Sequence, residues 1–195
     1  MESLNVVKET FESSYVLSLN DILFSERKIF LTESITADVT SELIKQFLYL
    51  DEVNHEKEIK FYINSPGGEV TSGLCLYDVI RKCKAPVTTI CTGTAASMGA
   101  ILFMAGEKRI MFQDARVMIH DPSMCFGMQN AKVGYVQDVL DDLMKLKKRL
   151  AGILAERSGR KIEEIYKKTC VDTFFSAKEA LKFGLATEII YTEGV

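Results

Sequence analysis

Apolar residues recur along this chain with two alternating periods. Within ITADVTSELIKQFLYLDEV, Val39, Leu43, Phe47 and Leu50 fall three to four residues apart, which predicts an amphipathic helix capped by Thr36 or Asp38. IKFYI (59–63) then reads as a strand, broken by the proline and paired glycines of NSPGG (64–68). VTSGLCLYDVIRKC (70–83) returns to helical spacing, with Leu74, Leu76, Val79 and Ile80 inward. VTTICT is the next strand, GTAA its turn and SMGAILFMAG a short buried helix. RIMF and ARVMI are strands on either side of a turn at Gln113–Asp114. A long helix is predicted from Lys132 to Arg157, with Val136, Val139, Leu140, Leu143, Leu150 and Leu154 along one side. SAKEALKFG opens with Ser176 three residues before Glu179, a capping box, and stops at Gly184; ATEIIYT closes as a strand.

Strand–helix units repeated in this way predict an α/β fold with a parallel or mixed sheet covered by helices. The long helix after Lys132 is unusual for such a layer, and its length suits a projection that serves assembly. No internal repeat and no linker interrupts residues 1–195, so one domain is expected. The uncharged run from Ala85 to Gly106 is long enough to span a bilayer. Pro86, Gly93, Gly99 and the threonines between them argue instead for a buried strand and helix, so no membrane association is expected.

Composition changes the picture in two places. A net charge of -3 and a pI near 5.5 argue against a nucleic-acid binder, and the basic cluster Lys145–Arg149 falls on a helix face. Cys75, Cys83, Cys91, Cys125 and Cys170 are odd in number and never spaced C-x-x-C, and His55 and His120 are the only histidines. That set argues against a structural zinc site, and no metal is expected. Free thiols without a secretory signal predict a reducing, cytoplasmic setting.

The candidate chemistry lies in two loops at strand ends, NSPGG and GTAAS, each leading into a helix. Adjacent glycines let backbone N–H groups turn toward developing negative charge, as an oxyanion hole requires. Ser97 in TAASMGA has only small neighbours, so a substrate backbone could reach its hydroxyl; a buried serine bonded to the backbone is the bland alternative. A serine nucleophile needs a base. His55 lies in the charged stretch DEVNHEKE, whereas His120 follows ARVMI directly, at the mouth of a buried strand. A strand-end histidine is also a common structural residue, and the residues alone do not choose an orienting acid among 27 carboxylates. Asp121 is the acid adjacent to His120.

Four blocks in order, YINSPGGEVTSGLCLYD, GTAASMGA, RVMIHDP and DTFFSAKEALKFGL, resemble the motifs of ClpP, the proteolytic subunit of the Clp protease, from about Lys28 to Ile190. The resemblance implies a ClpP/crotonase-like mixed sheet with a projecting handle helix. It implies a nucleophile at Ser97, a base at His120, an acid at Asp172, and oxyanion donors on the amides of Gly68 and Met98. It further implies an N-terminal axial segment at 1–27 and a handle region at 123–157. In function it implies a serine endopeptidase that cuts unfolded polypeptide inside seven-membered rings stacked in pairs. Those rings would be fed by a Clp-type AAA+ unfoldase that uses the ATP, with no cofactor in this subunit.

The chain departs from the family pattern at defined places. Cys170 and Val171 stand where an acidic–basic ring-contact pair is usual, and Thr173 where a basic residue is common. SMCFGMQN replaces the glycine-rich start of the handle. Lys60 and Lys82 replace aromatics of the unfoldase-docking pocket, while Tyr62 is kept. A second expectation follows: a weakly active structural or regulatory ring subunit that assembles with a catalytic ClpP paralogue. An acyl-CoA enzyme of the crotonase branch shares the fold, but leaves the peptidase blocks around Ser97, His120 and Asp172 unexplained.

Overall fold

The computed structural model describes residues 5–9, 14–123 and 132–191. The chain opens with an antiparallel pair, β1 (Asn5–Glu9) and β2 (Ser14–Ser18), followed by the short helix α1 (Leu19–Ser25). Then come β3 (Lys28–Leu31), α2 (Ala37–Val53), β4 (Ile59–Ser65), α3 (Val70–Lys82), β5 (Val87–Ala96) and α4 (Met98–Phe103). They are followed by β6 (Lys108–Phe112), β7 (Arg116–Ile119), α5 (Val133–Ser158), α6 (Ile162–Thr169), β8 (Thr173–Ser176), α7 (Ala177–Phe183) and β9 (Glu188–Ile190).

The main sheet runs β3-β4-β5-β6-β9, every neighbour parallel. β7 joins it off this path, parallel to β5, and β8 pairs with β7 antiparallel, so the sheet is mixed as the strand–helix alternation predicts. Burial alternates along β4: Ile59, Phe61 and Ile63 are sealed against the helices, while Lys60 and Tyr62 face outward. Thr36 caps α2 by accepting the Val39 N–H, which settles the choice between Thr36 and Asp38. Leu43, Phe47 and Leu50 of that helix are buried, and Phe47 meets Phe61 edge to face at 5.3 Å, a geometry that adds about 0.5–1.5 kcal/mol beyond area burial. Arg27 closes the far end of α2 by donating to the carbonyls of Leu50, Asn54, Lys57 and Glu58. Ser176 and Glu179 form the expected capping box on α7.

Three expectations are corrected. GTAA is no turn: β5 continues through Ala96 because its second half finds a new partner. Thr88 to Cys91 pair with β6, and Thr94 to Ala96 pair with β7. The apolar stripe of α5 is also not buried along its length. Leu150, Ala151, Ile153 and Leu154 reach the core, but Val136 and Leu140 are exposed, since nothing described covers the first turns. Residues 124–131, with Cys125 and Gly127, lie outside the described residues. Finally, the helix α6 and the strand β8 are two elements that the expectations above do not include. Among the described residues, no helix is long and apolar enough to cross a membrane.

One buried charge ties the far side of the fold together. Arg109 on β6 is only 7% exposed, and among the described residues no carboxylate pairs with its guanidinium. It donates instead to the carbonyls of Leu185, Gly106, Glu107, Arg157 and Gly184. Burial, its largest influence, pulls the Arg109 guanidinium below the ordinary arginine value. Carbonyl dipoles thus satisfy the donors and bind β6 to the ends of α5 and α7.

Candidate active site

Register assembles the site. In the parallel β5–β7 ladder Ala96 lies opposite Met118, and the next amide, that of Ser97, donates to the Met118 carbonyl at 2.9 Å. In the antiparallel β7–β8 ladder Ile119 faces Thr173. Continuing each strand by one residue sets His120 against Asp172, with Ser97 at the adjoining strand end. The distances follow: His120 Nε2 lies 2.8 Å from Ser97 Oγ, and His120 Nδ1 lies 3.4 Å from Asp172 Oδ1. The imidazole is mostly shielded, with 23% of its side chain exposed, whereas Asp172 is 65% exposed.

Ser97 sits in a backbone conformation that L-residues avoid, φ 54° and ψ -121°. Here β5 turns sharply into α4. A serine at a helix N-cap ordinarily caps with its hydroxyl, but this one makes no cap bond and turns to His120 instead. Small neighbours permit this: Ala95, Ala96 and Gly99 are buried around the turn.

The NSPGG loop packs directly on that turn. Gly67 (φ 98°) leaves no room for a side chain, because a Cβ there would come within 2.7 Å of both the Ala96 carbonyl and Ser97 Cβ. A Cβ on Gly68 would strike the Ile35 carbonyl at 2.2 Å. The loop is pinned by Ile35, whose amide donates to Gly67 and whose carbonyl accepts from Glu69. Among the described residues, the amides of Gly68 and Met98 have no acceptor.

The remaining candidates separate cleanly. His55 is exposed in the turn after α2 and belongs to no cluster with Ser97. Asp121 does not serve the imidazole: its carboxylate takes a 2.5 Å hydrogen bond from Lys147 of α5, which lifts the Lys147 ammonium above the ordinary lysine value. Lys147 also lies over the Tyr166 ring, 5.6 Å from its centroid. The sequence places Lys147 only within the basic helix face Lys145–Arg149, whereas its side chain is 29% exposed and paired; its one further signal is its helical spacing from the buried Leu150 and Leu154. Cys91 is buried in β5, and desolvation pushes its thiol up to about 12, so it is no competing nucleophile.

Beside Ser97 lies a cleft lined by Ile101, Ile119, His120, Pro122, Leu150 and Leu154. A nucleophile with a base, an acid beyond the base and two free amides near one apolar cleft can perform acyl transfer. A family model described as Clp protease matches residues 12–193 of the chain.

Proposed function

The chain belongs to the Clp protease family, which makes it a ClpP-type peptidase, and from that premise we propose that it is a serine endopeptidase acting on unfolded polypeptide. The observation that carries this is the 2.8 Å contact between Ser97 Oγ and His120 Nε2 at a positive-φ turn. Ser97 attacks the peptide carbonyl, and His120 takes its proton and later delivers it to the leaving amine. Asp172 holds the Nδ1–H tautomer and balances the imidazolium. The amides of Gly68 and Met98 receive the oxyanion, an arrangement the tightly packed NSPGG loop keeps rigid. Water then repeats the cycle on the acyl-enzyme. The peptide lies extended between the segments after Gly68 and after Pro122, held by backbone hydrogen bonds.

In this proposal the subunits form stacked seven-membered rings. Residues 123–157 serve as the handle, residues 1–27 line the axial entrance, and a Clp-type AAA+ unfoldase supplies ATP-driven feeding. The exposed Val136, Leu140 and Met144 on α5 support an assembly role for that helix. The free thiols of Cys75, Cys83, Cys91 and Cys170 suit a cytoplasmic setting.

One observation favours a second reading. Val171, immediately before Asp172, is a 64% exposed valine where the family places a charge, and Asp172 itself stands open. This suits a weakly active ring subunit that depends on a ClpP paralogue. Turnover of a short fluorogenic peptide by the purified chain tests both. Ser97-dependent hydrolysis supports the peptidase, and its absence without a paralogue favours the second role.

A further inference from the structure

We propose that the Asp121–Lys147 ion pair is a positioning element for the base, holding His120 in place and setting the charge balance around it from the middle of α5. The inference rests on the serine-peptidase function proposed above. Three observations carry it. Asp121 and Lys147 line the same cleft as Ser97 and His120. Their side chains are equally shielded, each 29% exposed, and close at 2.5 Å. The Asp121 amide donates to the Thr169 carbonyl at 2.7 Å, fastening the residue after the base to the end of α6, three residues before Asp172. Lys147 itself meets α6 at the Tyr166 ring. One residue beyond the base, the chain is therefore bound to both α5 and α6.

Charge gives the pair its second effect. Among the described residues, the groups facing this corner are Asp121 after β7, Lys147 from α5, Tyr166 from α6 and Cys170 just beyond it, and Asp172 before β8. Lys168, also on α6, is turned away over the Phe175 ring. α4 contributes no charge. Lys147 is thus the cation that offsets Asp121. If the ammonium is removed alone, an uncompensated carboxylate stands next to the base and favours its protonation. If the carboxylate is removed alone, an uncompensated ammonium has the opposite effect.

The test is the pH profile of kcat/KM for a short fluorogenic peptide, measured on the full chain in its assembled form. Lys147→Met is expected to move the acid limb to higher pH by roughly half a unit or more, and Asp121→Asn to move it lower by a similar amount. The double variant returns it close to the original position, and Lys147→Arg, which keeps the pair, leaves it in place. A general loosening of the fold would lower activity without moving the two single variants in opposite directions. Shifts of the same sign, or no shift, while hydrolysis remains Ser97-dependent would overturn the positioning role and leave the peptidase intact. If Lys147→Met does not fold, Asp121→Asn and Lys147→Gln decide the question by the same criterion. Loss of Ser97-dependent hydrolysis in the unsubstituted chain would reject the peptidase function, and this inference with it.

Discussion

The Ser97 amide donates to the Met118 carbonyl at 2.9 Å, and this bond fixes where the serine stands relative to His120, two residues further on and just past the end of β7. The proposed nucleophile is therefore located by a ladder rather than by the conformation of a loop. Its own backbone carries the strain, at φ 54°.

That strain gives a prediction separable from chemistry. Ser97→Ala should abolish labelling by a fluorophosphonate while keeping the unfavourable φ. Ser97→Gly should be equally unlabelled yet more stable than Ser97→Ala by about 1 kcal/mol, since glycine adopts this region freely. Fluorophosphonate labelling and urea denaturation of the two variants check this. Persistent labelling of Ser97→Ala would remove Ser97 as nucleophile.

Asp172→Asn should leave assembly unchanged and cut peptide turnover on the order of 10³- to 10⁴-fold, because the amide favours the wrong imidazole tautomer. Steady-state kinetics alongside native mass spectrometry measure both halves. A loss of only a few-fold would mean another acid orients His120. Asp121 is already committed to Lys147.

Arg109→Met should destabilise the fold by on the order of 3 kcal/mol without altering the kinetics of the surviving protein. It strips the carbonyls of Leu185, Gly106, Glu107, Arg157 and Gly184, the first two in buried bonds, of a shared donor set. Chemical denaturation is the measurement, and a cost below 1 kcal/mol would contradict the role given to the guanidinium.

Lys60 lies exposed on the outward face of β4, beside the stacked pair Phe30–Tyr62, and Lys82 is exposed at the end of α3. An apolar docking loop would lose about 1.5–3 kcal/mol for each aromatic so replaced, softened where the lysine stems lie along the surface. Homomeric rings should therefore bind a standard Clp unfoldase weakly, and a paralogous ring should restore degradation. Lys60→Tyr with Lys82→Phe should strengthen binding roughly tenfold or more. An unfolded-protein reporter with unfoldase and ATP checks this. Robust degradation by the unsubstituted chain alone would dismiss the mixed-ring idea.

Much of this architecture was legible because strand and helix periods differ. Leu43, Phe47 and Leu50 mark a buried helix face, and Ser176 with Glu179 mark a helix start, because both signals are local. GTAA misleads because glycine, threonine and alanine describe a turn as well as a strand, and only the distant β7 decides between them. The stripe on α5 misleads because helical periodicity shows which side is apolar but not whether anything covers it. α6 does carry a signal: Ile162, Ile165, Tyr166 and Thr169 at helical spacing, with Glu163 and Glu164 first and Lys167 and Lys168 last. Ser97, His120 and Asp172 could be nominated from motifs. The Asp121–Lys147 pair could not, since it joins residues far apart in the chain through a helix packing angle that no local pattern encodes.

The antiparallel seam between β7 and β8 has a wider consequence. The proposed base and acid meet because two strands run past each other in a set register, and the intervening chain adds to this only where Asp121, Lys147, Tyr166 and Thr169 clasp the end of β7. Away from that clasp its length and composition can drift, and new surfaces can be built on the exposed faces of α5 and α6, without retuning the His120–Asp172 distance. A one-residue slip in the seam would instead swap inward for outward side chains and silence the site at once. The same scaffold can therefore acquire new neighbours readily while its chemistry remains intolerant of change.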